Sequence, residues 1–150
     1  MKILFLDIDG VLNSIRSAVS LGGYPWGVKE EDIKLFDQVA IQLIKRLCEK
    51  TDCQIVLSSV WRLSIGHKKL AEALFLPIVD STPCLHMSGA RGQEIKAYLG
   101  NHPEVTCYAI VDDDSDMLDE QLPYFIKTDR VNGLSYENYE QLLKLLKEKE

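Results

Sequence analysis

No apolar run in this 150-residue chain approaches the ~18 residues of a membrane span. The opening run, Ile3 to Leu6, ends at once in Asp7, which is not the pattern of a signal peptide. The four cysteines (Cys48, Cys53, Cys84 and Cys107) form no CxxC pair, and no histidine stands beside one at zinc-ligand spacing. That excludes the common structural zinc modules and fits free thiols in a reducing compartment. His67, His86 and His102 are isolated and read as surface or loop residues. Basic clusters are absent beyond residue pairs, and the net charge is −6. Nonspecific nucleic-acid binding over the whole surface is therefore excluded, although a local basic rim is not. There is no repeat, low-complexity tract or linker. A cytoplasmic protein without membrane contact is expected.

What is present is one domain's worth of residues, 1–150, with 46% hydrophobic and 27% charged residues. Apolar runs alternate with helical patterns, the signature of a parallel sheet with crossover helices. Strands are read at Lys2 to Asp7, Cys53 to Leu57, Pro77 to Val79, Thr106 to Val111 and Tyr124 to Lys127. Helices are read at Glu30 to Lys50, His67 to Phe75, Ala90 to Leu99 and Tyr136 to Lys147. The long helix has an acidic first turn and a basic end, as the helix dipole favours. Residues 11 to 28 read as irregular. The expected fold is a three-layer α/β/α, Rossmann-like parallel sheet of about five strands.

Three strand ends carry a surplus of polar residues. The first holds Asp7 and Asp9 followed by Gly10, the second Ser58 and Ser59, the fourth Asp112, Asp113 and Asp114 with Asp116 beyond. In a parallel sheet these ends share one edge, where ligands bind. Side chains at i and i+2 of a strand share a face, so Asp7 and Asp9 can converge. So many carboxylates repel one another unless a cation neutralises them, and an all-oxygen set favours magnesium over zinc. Asp114 and Asp116 read better as cap and first-turn residues of a following helix.

The segment Asp7-Ile8-Asp9-Gly10-Val11-Leu12 resembles the first motif, DxDGx(T/V)L, of the haloacid dehalogenase-like (HAD) phosphatases. Ser58, after Gln54-Ile55-Val56-Leu57, is similar to the second motif, and Asp112-Asp113, after Tyr108-Ala109-Ile110-Val111, to the fourth. Arg91 best fits the lone cation of the third, with Lys96 as the other candidate. More narrowly, Leu57-Ser58-Ser59-Val60-Trp61-Arg62, Ile110 to Met117, Lys127-Thr128-Asp129 and Gly133-Leu134-Ser135 resemble a small HAD subgroup. That subgroup is associated with nucleic-acid end repair.

The resemblance implies a role for each matching residue. Asp7 would attack phosphorus and form an aspartyl-phosphate. Asp9 would serve as acid and base, its backbone carbonyl also meeting magnesium. Ser58 would donate to a phosphoryl oxygen, and Arg91 would stabilise transition-state charge. Asp113 is the expected direct metal ligand and Asp112 its orienting neighbour, with the two roles exchangeable. Ser59, Gly10, Trp61 and Arg62 are expected at the substrate. Trp61 either stacks a base or belongs to the core; Trp26, with Tyr24 and Arg16 nearby, either stacks a base or packs a flap at residues 13 to 28.

Core elements fill both places where such enzymes insert a cap, so a capless, open site is expected. Open sites suit large substrates, which exclude water themselves. The expected function is a magnesium-dependent phosphomonoesterase acting on a nucleic-acid end or nucleotide. A phosphoprotein or small-metabolite phosphatase is the enzymatic alternative. A receiver-like signalling domain is the non-enzymatic one. Receivers place an acidic pair after strand one and the acceptor aspartate after strand three, which the Val79-Asp80 region does not reproduce.

Overall fold

The apolar runs become five parallel strands, β1 (Lys2–Leu6), β2 (Gln54–Leu57), β3 (Ile78–Ser81), β4 (Cys107–Asp112) and β5 (Phe125–Lys127). The computed structural model describes residues 1–87 and 89–147. The sheet order is β3-β2-β1-β4-β5, which puts β1 at the centre. Helices α1 (Ile15–Leu21), α2 (Glu30–Ile33), α3 (Gln38–Thr51), α4 (Trp61–Ser64), α5 (His67–Leu74), α6 (Arg91–Asn101) and α7 (Tyr136–Lys147) connect them, with a 3₁₀ segment at Asp119–Tyr124. No helix among the described residues is long and apolar enough to cross a membrane.

Strand alternation makes the three layers. Leu4 and Leu6 of β1 join one buried cluster with residues of α3, α5 and α7. Ile3 and Phe5 join a second with Ile95 and Tyr98 of α6. Phe5 is fully buried and meets Tyr98 edge-on, with ring centres 5.6 Å apart. β1 is apolar on both sides because both sides are covered, as parallel sheets require. The α/β/α Rossmann-like expectation holds, and among the described residues no separate cap is evident.

Two differences from the sequence reading shape the site. The helix expected from Glu30 to Lys50 is interrupted. Asp37, extended at φ −71° and ψ 102°, accepts from the amides of Val39 and Ala40 and starts α3 afresh. The carboxylate offers those amides a local alternative to continuous helix. The interruption lets the Asp37 amide bond the Leu12 carbonyl at 2.9 Å and drops Phe36 into the core beneath Trp61. The stretch 11 to 28, read as irregular, contains α1. Ser14 and Ser17 cap each other reciprocally, and Gly22 closes the helix in the left-handed region.

Candidate active site

Sheet register sets the row. Leu57, Leu6 and Val111 are aligned partners, so Ser58, Asp7 and Asp112 follow side by side at the C-terminal edge. The amide of Ser58 bonds the Leu6 carbonyl at 2.8 Å and that of Asp7 the Val111 carbonyl at 3.1 Å, which carries the alignment past the strands. Carboxylate oxygens of Asp7, Asp112 and Asp113 all lie within 4.8 Å of one another. Arg91, at the start of α6, brings Nε to 3.4 Å from Asp112 Oδ2. Its helix start is fixed by Asp116, whose Oδ2 accepts from the Arg91 amide at 3.3 Å. Asp116 thus caps α6, not a following helix. Lys96 faces outward and pairs with Glu120 on the surface, so of the two candidate cations Arg91 is the one beside the acidic cluster.

The cluster is electrostatically uncomfortable by itself. Burial, then the neighbouring Asp112, push the Asp7 carboxyl well above the usual carboxylate range, against the pull of Arg91. Burial pushes Asp112 up to about 7, with Asp113 adding to the rise and Arg91 opposing it. Buried side-chain atoms with no hydrogen-bond partner include Ser58 Oγ, Arg91 Nη1 and Asp112 Oδ2. Orphaned polar atoms of this kind point to a partner outside the chain. A hard cation suits the all-oxygen donor set, and a phosphoryl group suits the hydroxyl and guanidinium. The residues present therefore fit magnesium.

The raised values fix a pH dependence. Between about 4 and 7 the folded protein holds protons that the unfolded chain has released, so the metal-free protein loses stability as pH rises through that window. A magnesium ion held there would favour the ionised carboxylates and restore it. The melting temperature without metal is expected to fall between pH 5 and 8, and the rise on adding magnesium to be larger at pH 8. A magnesium response that is absent, or equal at both pH values, would contradict the electrostatic reading.

Gly10 is the pivot of the turn. Its φ is +80°, and a Cβ there would lie 2.8 Å from Asp113 Cβ. Thr128 Oγ1 donates to its carbonyl at 2.7 Å, tying the turn to the end of β5. Its amide donates to Asn13 Oδ1 at 3.2 Å, and Gly10 itself lines the cleft beside Asp113. Gly10→Ala adds left-handed strain of roughly 1–2 kcal/mol and displaces Asp113. It is expected to weaken the magnesium-dependent rise in melting temperature by tenfold or more in metal concentration. A wild-type titration would refute that role.

Asp9 is turned away from the cluster. Both its oxygens accept from Trp61 Nε1 at 3.1 Å, and Oδ1 also accepts from Asn13 Nδ2 at 2.9 Å. The Trp61 ring is buried against Phe36, so this residue holds a carboxylate and does not offer a face for stacking. Ser59 is fully buried, its Oγ accepting from the Trp61 amide, and it starts α4 instead of meeting a substrate. Arg62 is also withdrawn. It donates to the Ser59 carbonyl at 2.6 Å, the Thr82 carbonyl at 3.1 Å and Glu94 Oε2 at 2.7 Å. Its guanidinium braces the loop after β2, because Glu94 on α6 is the buried charge that it neutralises.

A cleft of about 480 Å³ opens beside the cluster, with Asp9, Asp113, Trp61, Trp26, Tyr24 and Arg130 in its walls. Arg130 was not singled out by the sequence reading. Its Nε stands 3.7 Å from Asp113 Oδ2. Asn13 and Thr128 are also absent from the expected site residues, although Thr128 sits inside a segment that carries the resemblance and Asn13 directly follows one.

Residues 3–139 match the family described as the HAD domain in Swiss Army Knife RNA repair proteins. No curated protein and no solved structure matches the chain.

Proposed function

The chain belongs to this family of HAD domains of RNA repair proteins, and from that premise we propose a magnesium-dependent phosphomonoesterase acting on a phosphorylated nucleic-acid end or nucleotide. The observation that carries the reading is the row at the sheet edge. A buried nucleophile candidate, Asp7, stands among two further carboxylates, one guanidinium and one hydroxyl, and three of those groups hold polar atoms without a partner.

In this mechanism an Asp7 oxygen attacks phosphorus, the bond to the leaving oxygen breaks, and Asp9 gives that oxygen a proton. Water then attacks the phosphorus of the aspartyl-phosphate while Asp9 takes its proton, which releases phosphate and restores Asp7. Ser58 Oγ and Arg91 Nη1 donate to phosphoryl oxygens and gain strength as charge builds there. Asp7, Asp112 and Asp113 would hold magnesium. The open Asp112 Oδ2 suits direct ligation, so Asp112 need not be confined to orienting Asp113. Bound magnesium supplies charge neutralisation to the phosphoryl group and to the carboxylates around it. Trp61 and Asn13 hold the Asp9 side chain at the cleft, and the Asp9 backbone carbonyl would join Asp7, Asp112 and Asp113 at magnesium.

The open edge favours a substrate large enough to shield the reaction from water. A receiver-like role fits less well, since β3 and its Asp80 lie at the sheet margin, with β2 between them and β1. The test is phosphate release from 3′- and 5′-phosphorylated oligonucleotides, mononucleotides and phosphopeptides, with magnesium and with EDTA. Magnesium-dependent release, fastest on oligonucleotides, is expected. Release that survives EDTA would overturn the metal assignment, and equal, feeble rates on every substrate would overturn the nucleic-acid assignment.

A further inference from the structure

The phosphoryl chemistry makes no use of the aromatic side chains on the cleft rim. Trp26 is 86% exposed, more than any other large hydrophobic side chain among the described residues, and Tyr24 is 42% exposed. Neither packs the flap down. The flap backbone is instead pinned by Asp32, whose Oδ1 accepts from the Trp26 amide at 3.1 Å and whose Oδ2 accepts from the Lys29 amide at 3.3 Å. An anchored backbone presents the indole in water at little further cost in conformational entropy. Both aromatics line the same cleft as Asp9 and Asp113.

One cation lines that cleft and a second is fastened near it, in a chain whose net charge is −6. Arg130 lines it with a side chain that is 69% exposed. The Ile15 amide bonds the Arg130 carbonyl at 3.2 Å, and the Arg16 amide bonds the Val131 carbonyl at 2.9 Å. The first turn of α1 is thereby fastened to the Arg130 turn, and exposed Arg16 stands beside it.

We propose that Trp26 and Tyr24 form a stacking shelf for the base of the phosphorylated terminal nucleotide, with Arg130 and Arg16 taking the adjoining backbone phosphate. The inference rests on the function proposed above, because it takes the terminal phosphate to be at Asp7. Flat exposed aromatics on a cleft that also holds a guanidinium match a base followed by a phosphate. A phosphoserine or phosphothreonine peptide offers the anion without a flat ring at a fixed distance. Every base has a π face, so the shelf selects for a base at the end without selecting which one.

The experiment uses the full chain carrying Asp7→Asn, with magnesium, and reads tryptophan fluorescence and affinity. The probes are an end-phosphorylated oligoribonucleotide, the same strand lacking the terminal base, and a phosphoserine peptide. Stacking on Trp26 should quench its emission, and the base-bearing strand should bind about tenfold or more tightly than the abasic one. Adding Trp26→Ala should abolish that preference, while Trp26→Phe, which keeps a ring face, should retain part of it. The residue is on the surface, and a thermal melt verifies that each variant is folded. Equal affinity for the two strands, a preference that survives Trp26→Ala, or tighter binding of the phosphopeptide would overturn the shelf. Phosphate release by the wild-type protein is a separate readout. If it fails while the base preference stands, the proposed reaction falls and the shelf does not.

Discussion

Asp7→Asn is expected to lower magnesium-dependent phosphate release by at least ~10⁴-fold, the scale seen when a nucleophile is removed, while raising the melting temperature of the metal-free protein. The two effects share one cause. Asp7 is buried with its carboxyl held well above the usual range by that burial and by Asp112. An amide of the same shape carries no charge, so the repulsion within the cluster falls and the folded state gains. The gain shrinks toward pH 5, where the raised carboxyls hold their protons, and grows as pH rises through about 7, where Asp112 releases its own. Such opposition is expected where a functional site is bought with stability. Activity assays and melting curves on one preparation check both halves. A variant that lost activity and also melted earlier at pH 8 would show that Asp7 supports the fold instead of straining it.

Arg91→Gln should show the reverse pattern. Arg91 is the cation nearest Asp112 and lowers the proton affinity of both Asp7 and Asp112. Its removal leaves Asp7 and Asp112 without the cation that opposes their rise, a loss on the order of 3–5 kcal/mol for a broken buried pair. The deficit should appear above pH 7 and nearly vanish at pH 5, and magnesium should recover part of it. Turnover should fall by roughly 10²–10³-fold, because a donor to the developing phosphoryl charge is gone. Arg91→Lys keeps the charge but not the forked geometry, and should recover stability more fully than rate. Equal recovery of both would mean that charge alone matters at this position.

The strands were legible in the sequence because β1, β2 and β4 are short apolar runs covered on both faces, with Leu4 and Leu6 on one side and Ile3 and Phe5 on the other. The strand-end carboxylates were legible for the complementary reason, since charge directly after such a run has no place in a core. The break at Asp37 was harder to see. Apolar spacing runs through it without interruption, and one side chain's bonds to two amides decide it. α1 escaped notice because its cap is a Ser14–Ser17 pair in a stretch otherwise marked by glycines. The partners of Asp9 and Arg62 were out of reach. Trp61 lies 52 residues from Asp9 and Glu94 lies 32 from Arg62, and nothing in local spacing joins them. Those distant contacts hold Trp61 to Asp9 and Arg62 to Glu94.

In the proposed mechanism Asp7 carries the phosphoryl group between substrate and water. This step is tested most directly by acid-quenching the protein during turnover with magnesium and an end-phosphorylated oligonucleotide, then mapping phosphorylation by mass spectrometry. A phosphoryl group on the peptide containing Asp7, absent from Asp7→Asn and from EDTA-treated protein, is the expected result. Turnover with no phosphoryl group on that peptide, or with one on a different residue, would contradict the mechanism.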